Sequence, residues 1–211
     1  MVRHLALAPT AAGSTVRVAP TDVAQFVRLH QCHRFLRLRL AERAHGQEFL
    51  RDFAVSPQDP PPLMMSGGID FESQVFEQIR RNKSSRDLRE GASKTRDDGE
   101  QVTQIAKALL AGDEQILLQP RLTGSVSGWS ITGDVDILRL VRDGDGKLGA
   151  LIVDVKSSET SKVEHRLQIA FYAHVLGALF VSAGVEVVNI GLGVLYRGDG
   201  DPSPEQIAVD R

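Results

Sequence analysis

Apolar and polar residues alternate through two stretches of the chain in a way that predicts strands. Successive side chains of a strand point to opposite faces. Ile131, Val135 and Ile137 therefore fall on one face of the first run, with Asp134 and Asp136 on the other. In the second run Leu151, Val153 and Val155 share a face, and Asp154 and Lys156 share the opposite one. Between them lies Asp143-Gly144-Asp145-Gly146, whose residue types tolerate the positive φ of a tight hairpin connection. The two runs are expected to pair antiparallel. A turn centred on Asp145 sets Asp136 opposite Asp154, on one face and within roughly 5.5 Å.

Helical spacing governs two further stretches. From Ile69 to Arg80, Phe71, Val75, Phe76 and Ile79 recur at the period of an amphipathic helix. With an advance of about 100° per residue, Glu72 lands among these apolar positions, while Asp70 and Glu77 project to the other side. From Val163 to Phe180 the expected stripe is Leu167, Phe171, Val175 and Leu179, and Gln168 and Tyr172 are spaced to meet on one helix face. Val185 to Tyr196 reads as a late strand, and Pro202 to Arg211 carries no obvious closing element. Val55 to Gly68 contains Pro57, Pro60, Pro61 and Pro62, so it is expected to be a linker rather than a continuous helix.

Two carboxylates facing one another across a hairpin repel unless a cation lies between them. A divalent ion with oxygen ligands is the natural candidate, and Lys156 adds a positive charge beside it. A solvated hairpin face accounts for Asp143 and Asp145 at the turn, but poorly for Asp136 and Asp154 inside the apolar runs. Glu72 on a core-facing stripe needs a partner, for which a metal or Lys156 suffices. It reads equally as a first-turn acid favoured by the helix dipole, with its head reaching solvent. Gln168 and Tyr172 are likewise open to two readings: they orient a phosphate or a metal-bound water, or they satisfy each other in the interior.

Taken in order, Glu72, Gly133-x-Val-Asp136, Asp154-Val-Lys156 and Gln168-x-x-x-Tyr172 resemble the RecB-like branch of the PD-(D/E)XK nuclease superfamily. The CRISPR-associated RecB-like exonucleases belong to the same branch. There a glycine followed four residues later by a helical glutamate precedes the core, as Gly68 and Glu72 do here. The histidine often found just before that glutamate is replaced by Phe71. The stretch from Val102 to Asp136 is similar too, with a helix ending at Gly112, a strand through Gln119 and then the Gly-x-x-Asp strand. Any one of these motifs is weak, and four in the right order are fairly specific. The resemblance runs from Thr21 to Arg197.

The resemblance implies an α/β fold with a restriction-endonuclease-like core, a mixed central β-sheet flanked by helices. The expected organisation is a flexible N-terminal segment over 1–20 and one nuclease domain over 21–211. Within that domain, 21–54 is a helical part, 55–68 the proline-rich linker and 69–211 the catalytic core. By the same resemblance Glu72, Asp136 and Asp154 hold one or two Mg²⁺ or Mn²⁺ ions, with the carbonyl of Val155 as a further ligand. Lys156 positions the attacking water or neutralises developing charge, and Gln168 and Tyr172 orient the groups around it. The implied activity is hydrolysis of DNA phosphodiesters, exonucleolytic and on single-stranded DNA or free ends, in repair, recombination or defence. A helicase or CRISPR component is the kind of partner it implies.

Thr21-Asp22, followed by a helix containing Gln31-Cys32-His33-Arg34, resembles the region where many such nucleases place the first of four cysteine ligands of an iron-sulfur cluster. The chain has one cysteine, so it cannot supply four thiolates alone. Cys32 is a cluster ligand only if a cysteine-bearing segment follows Arg211; otherwise it is expected to be a small buried core residue.

Composition narrows the setting. A chain of 211 residues with 42% hydrophobic and 25% charged residues is ordinary for one soluble globular domain. No apolar run approaches the roughly 20 residues that span a bilayer, and Leu5 to Pro9 is too short for a signal-peptide core. The lone cysteine gives no disulfide framework, so a reducing cytoplasm is expected. A net charge of −2 carries no global signature of nucleic-acid binding. Arg34, Arg37, Arg39 and Arg43 on an early helix are the better candidates for phosphate contacts. Arg80, Arg81, Lys83, Arg86, Arg89, Lys94 and Arg96 are diluted by Asp87, Glu90, Asp97 and Asp98, and Lys83 to Gly99 is expected to be a mobile loop. His165 and His174 are expected at the surface. No Walker loop and no zinc-type Cys/His set occurs. Two alternatives accompany the nuclease reading: a catalytically weak nucleic-acid-binding accessory domain, and a structure-specific endonuclease on the same core.

Overall fold

The expected hairpin forms, and it lies in the interior of a larger sheet. The computed structural model describes residues 17–52, 54, 62–89, 96–110, 114–126, 129–160 and 162–197. Strand β1 is Arg17–Val18, followed by helices α1 (Pro20–Arg28), α2 (His33–His45), α3 (Gln47–Asp52) and α4 (Pro62–Asn82). Then come β2 (Ser85–Asp87), α5 (Gly99–Ala108), β3 (Glu114–Leu118), β4 (Arg121–Val126) and β5 (Trp129–Asp134). The chain continues through β6 (Ile137–Arg142), β7 (Leu148–Lys156), α6 (Val163–Ser182) and β8 (Val187–Tyr196).

Two mixed sheets result, one ordered β1-β5-β4 and one ordered β2-β3-β6-β7-β8. β6 and β7 pair antiparallel from Ile137 opposite Val153 to Arg142 opposite Leu148. β7 and β8 run parallel, which requires a crossover, and α6 supplies it. The alternation along β7 is used on both faces. Leu148, Ala150 and Ile152 pack in one core with Ile169, Tyr172, Val175, Leu176 and Phe180 of α6. Val153 and Val155 point the other way, into a second core with Phe71, Val75, Phe76 and Ile79 of α4. A sheet covered by helices on both faces is the mixed α/β architecture expected.

Several local expectations give way. The run from Ile131 to Ile137 is not one strand: β5 ends at Asp134 in the small sheet, β6 begins at Ile137 in the large one, and Val135-Asp136 is the crossing. Of the expected linker, 55–61 lies outside the described residues, whereas 62–68 is already helix α4. Proline is tolerated in a first helical turn, where its missing N–H has no partner to lose, so Pro62 opens the helix. Of the segment 1–20, residues 1–16 lie outside the described residues, and Arg17–Val18 pair with β5.

The helix expected through Gln31 to Arg34 is broken. His30 and Gln31 take φ of 53° and 58°, and α2 starts afresh at His33 with Cys32 as its cap residue. Within the expected loop 83–99, β2 forms and pairs parallel with β3, while 90–95 lies outside the described residues. The helix expected to end at Gly112 ends at Ala108, and Gly112 and Pro202 to Arg211 lie outside the described residues. On α6 the fully buried face is Gln168, Ile169, Tyr172, Val175, Leu176 and Phe180. Leu167, Phe171 and Leu179 of the expected stripe are only partly buried, because the helix is rotated to set its polar pair inward.

Candidate active site

One step beyond the last pair of the β6–β7 ladder, Asp136 and Asp154 face one another at the end of the hairpin. Ladder pairing stops there because Asp136 belongs to the crossing between sheets. Its carboxylate Oδ2 accepts the backbone N–H of Val155 over 2.7 Å. Its own carbonyl accepts the N–H of Gln119 over 2.9 Å. Asp154 is 1% exposed. Its Oδ1 accepts Nε2 of Gln168 over 3.3 Å. Its Oδ2 lies 2.8 Å from Nζ of Lys156.

Glu72 approaches from α4. It accepts a hydrogen bond from Nε2 of Gln119 and lies 3.9 Å from Nη1 of Arg89. Gln168 and Tyr172 of α6 are both buried, and a glycine makes room for the tyrosine. A Cβ on Gly133 would lie 2.7 Å from Cε1 of Tyr172 and 3.0 Å from its hydroxyl. This close approach explains the glycine of the Gly133-x-Val-Asp136 motif. Gly68 carries no such constraint, since a Cβ there would meet only Oγ of Ser157 at 3.7 Å.

Burial, and after it the charge of Asp136, opposes ionisation of Asp154 and Glu72. Burial pushes Asp154 up to about 8, helped by the charge of Asp136 and opposed by Lys156. Asp136 is enclosed enough that burial raises it as well, against the pull of Lys156 and the Val155 N–H. Glu72 is raised by burial first and by Asp136 second, with Arg89, Lys156 and Gln119 acting the other way. Burial holds the Tyr172 hydroxyl well above its usual range.

Lys156 thus offsets only part of the accumulated negative charge. All-oxygen donors, and the charge of Asp136 set against Asp154 and Glu72, fit a hard divalent cation. Among the described residues no three His, Cys, Asp or Glu side chains stand together closely enough to hold an ion. Asp136 and Asp154 face one another, and Glu72 is tied to Gln119 and Arg89.

The family model of the PD-(D/E)XK nuclease superfamily matches residues 24–207. The chain belongs to this superfamily. The superfamily is one of nucleases. Among solved structures, the crystal structure of SSO0001 aligns at 12% identity and a TM-score of 0.32, covering 93% of this chain and 66% of that one. No curated protein sequence matches.

As a PD-(D/E)XK chain, the protein brings Glu72, Asp136, Asp154, Lys156, Gln168 and Tyr172 to one end of β7. The other candidates lie elsewhere. Asp134 is held in a two-bond ion pair with Arg121 across β4 and β5, both contacts at 2.6 Å. Of the early arginines, Arg43 at 2.6 Å and Arg39 at 3.4 Å pair with the buried Asp22, so they knit α1 to α2. Cys32 is a free thiol of intermediate exposure at the start of α2, neither fully buried nor beside another described cysteine. His174 is exposed as expected, but His165 is partly buried, with an unpartnered Nδ1. Burial and Lys156 lower its pKa.

The place of Gln119 and Arg89 at the site was not legible in the motifs, because their bonded partners are 47 and 30 residues distant in the chain. The one signal in the sequence was a polar residue closing the apolar run Ile116 to Leu118. Among the described residues no helix is long and apolar enough to cross a membrane.

Proposed function

We propose that this protein is a Mg²⁺- or Mn²⁺-dependent deoxyribonuclease of the RecB-like branch, acting exonucleolytically on DNA with single-stranded or free ends. The observation that carries the reading is the pair of facing, ionisation-resistant carboxylates of Asp136 and Asp154 with Lys156 alongside. Asp136, Asp154 and the carbonyl of Val155, joined by Glu72, are the groups that would hold the ion. A bound divalent cation supplies Lewis acidity, acidifying a water and stabilising negative charge on the scissile phosphate.

The chain's own residues do the rest. The Val155 N–H and Gln168 hold the two carboxylates in orientation, so the site is set before substrate arrives. Lys156, 26% exposed at its side chain, reaches far enough into solvent to place the attacking water or meet the phosphate as charge builds. Attack forms the new P–O bond in line as the bond to the leaving nucleoside oxygen breaks. Tyr172, seated on Gly133, fixes α6 and with it Gln168.

The test is cleavage of end-labelled single- and double-stranded DNA with Mg²⁺ or Mn²⁺ by wild type, Asp154→Ala and Lys156→Ala. The expected result is cleavage by the wild type, with strong loss in both variants. Equal cleavage by all three proteins, or none by any, sinks the catalytic reading. Cleavage of closed circular or branched DNA identifies an endonuclease instead. A second reading, an accessory nucleic-acid-binding domain, draws on the hold of Gln119 and Arg89 on Glu72. It is the outcome if the wild type binds DNA without cutting it.

A further inference from the structure

Gln119 follows β3, which ends at Leu118 rather than running through it, and stands between the two acidic arms of the site, where the resemblance gave it no role. It is 6% exposed and has a φ of 52°, a left-handed conformation that a residue with a Cβ holds where its surroundings impose it. Every polar group it owns is engaged. Its backbone N–H donates to the carbonyl of Asp136 over 2.9 Å. Its carbonyl accepts Nη2 of Arg96 over 2.5 Å. Its Oε1 accepts Nη1 of Arg89 over 2.8 Å, and its Nε2 donates to Oε1 of Glu72. These partners set the amide's orientation, since a guanidinium only donates and a carboxylate only accepts.

We infer that Gln119 is a positioning residue of the metal centre, its backbone locating Asp136 and its side-chain amide locating Glu72. The inference rests on the metal-centre reading above. Asp136 lies on the crossing between two sheets, where no ladder partner holds its carbonyl, and the Gln119 N–H fills that place. Glu72 comes from a helix on the opposite arm, and Gln119 bonds both arms at once, through its backbone N–H to the Asp136 carbonyl and through its side-chain amide to Glu72. A neutral amide serves this purpose better than a cation. It holds the carboxylate without cancelling the charge that a metal ion would use. A glutamate at this position would add a further negative charge facing Glu72, and a glycine would relax the backbone but deliver no donor. The left-handed residue is therefore a glutamine where local conformation alone favours glycine.

The experiment is calorimetric titration of the full chain with Mn²⁺ alone, without DNA. It compares wild type, Gln119→Met, Gln119→Gly, Glu72→Ala and the Glu72→Ala/Gln119→Met double variant, each checked for a cooperative melt. Removal of a residue that orients a ligand is expected to weaken Mn²⁺ binding about 10–100-fold. Methionine keeps the bulk without the donor, and glycine suits the left-handed backbone, so the glycine variant carries the test if the methionine variant fails to fold. In the Glu72→Ala background the second substitution is expected to change Mn²⁺ affinity by less than about twofold, because the amide then has nothing to place.

Wild-type affinity in a folded Gln119→Gly protein overturns the inference, as does an equal loss from Gln119→Met in both backgrounds. A wild type that binds no Mn²⁺ overturns the metal-centre reading itself, and this inference with it.

Discussion

The backbone N–H of Val155 donates to Oδ2 of Asp136 over 2.7 Å, so the strand that carries Asp154 also holds the carboxylate facing it. The two acids stay facing one another in a buried place, and burial first, with the charge of Asp136 second, makes Asp154 resist ionisation.

That resistance has a pH signature. The Asp154 carboxyl titrates at about 8 in the fold, against 3.8 ordinarily. The native state therefore keeps a proton that the unfolded chain has already released. Stability from this group is full below the unfolded value and is lost as pH rises through the folded one. In EDTA the melting temperature is expected to fall from about pH 5 to about pH 8, and to fall less in Asp154→Asn. A wild-type melting temperature that climbs over that interval contradicts the assignment.

Activity and stability are expected to separate at the same residue. Asp154→Asn removes a buried charge that nothing neutralises fully in the metal-free protein, so its Tm in EDTA at pH 8 rises above wild type. Cleavage in Mg²⁺ drops about 100-fold or more, with a similar drop for Lys156→Ala. Parallel losses of Tm and activity in both variants would instead mark them as merely misfolded.

Gly133→Ala places a methyl 2.7 Å from the ring of Tyr172 and 3.0 Å from Cδ of Pro20. Neither neighbour is a flexible chain end, so α6 or α1 must shift, at a cost of about 1–3 kcal/mol. Urea denaturation measures the loss, and nuclease activity falls with it because Gln168 rides on α6. An unchanged midpoint would show that the helices adjust freely.

Asp22 is 2% exposed and receives the N–H of Ala19 at 2.8 Å as well as the two arginines of α2. Asp22→Ala is expected to destabilise the fold by about 2 kcal/mol, a figure held down because Arg39 and Arg43 remain partly exposed and screened. The folded fraction keeps its specific activity, since none of these groups touches the site. A selective loss of DNA binding at unchanged stability would restore the arginines as phosphate contacts.

Cys32 caps α2 without a side-chain hydrogen bond. Serine is a favoured cap residue, so Cys32→Ser is expected to be neutral or stabilising by up to about 1 kcal/mol. Thermal melts and the visible spectrum check this. A large loss accompanied by bleaching of a brown chromophore would make Cys32 a cluster ligand.

The sequence by itself determined the elements whose signal is local. Alternation marked the hairpin strands β6 and β7, and the glycine-rich turn centred their register, so that Asp154 and the Asp136 just before β6 come opposite one another. Helical spacing marked Glu72, Gln168 and Tyr172, and the order of motifs pointed to the nuclease family. Tertiary structure decided what depends on distant partners. Whether Ile131 to Ile137 is one strand or two is set by which sheet each half joins. Whether Arg39 and Arg43 face a phosphate or Asp22 is set by the docking of α1 on α2. The role of Gln119 was invisible because its left-handed backbone and its bonds to Glu72, Arg89 and Asp136 exist only once separate stretches of chain converge at the end of β7. Local periodicity encodes which face a residue occupies, and only packing encodes what stands opposite it.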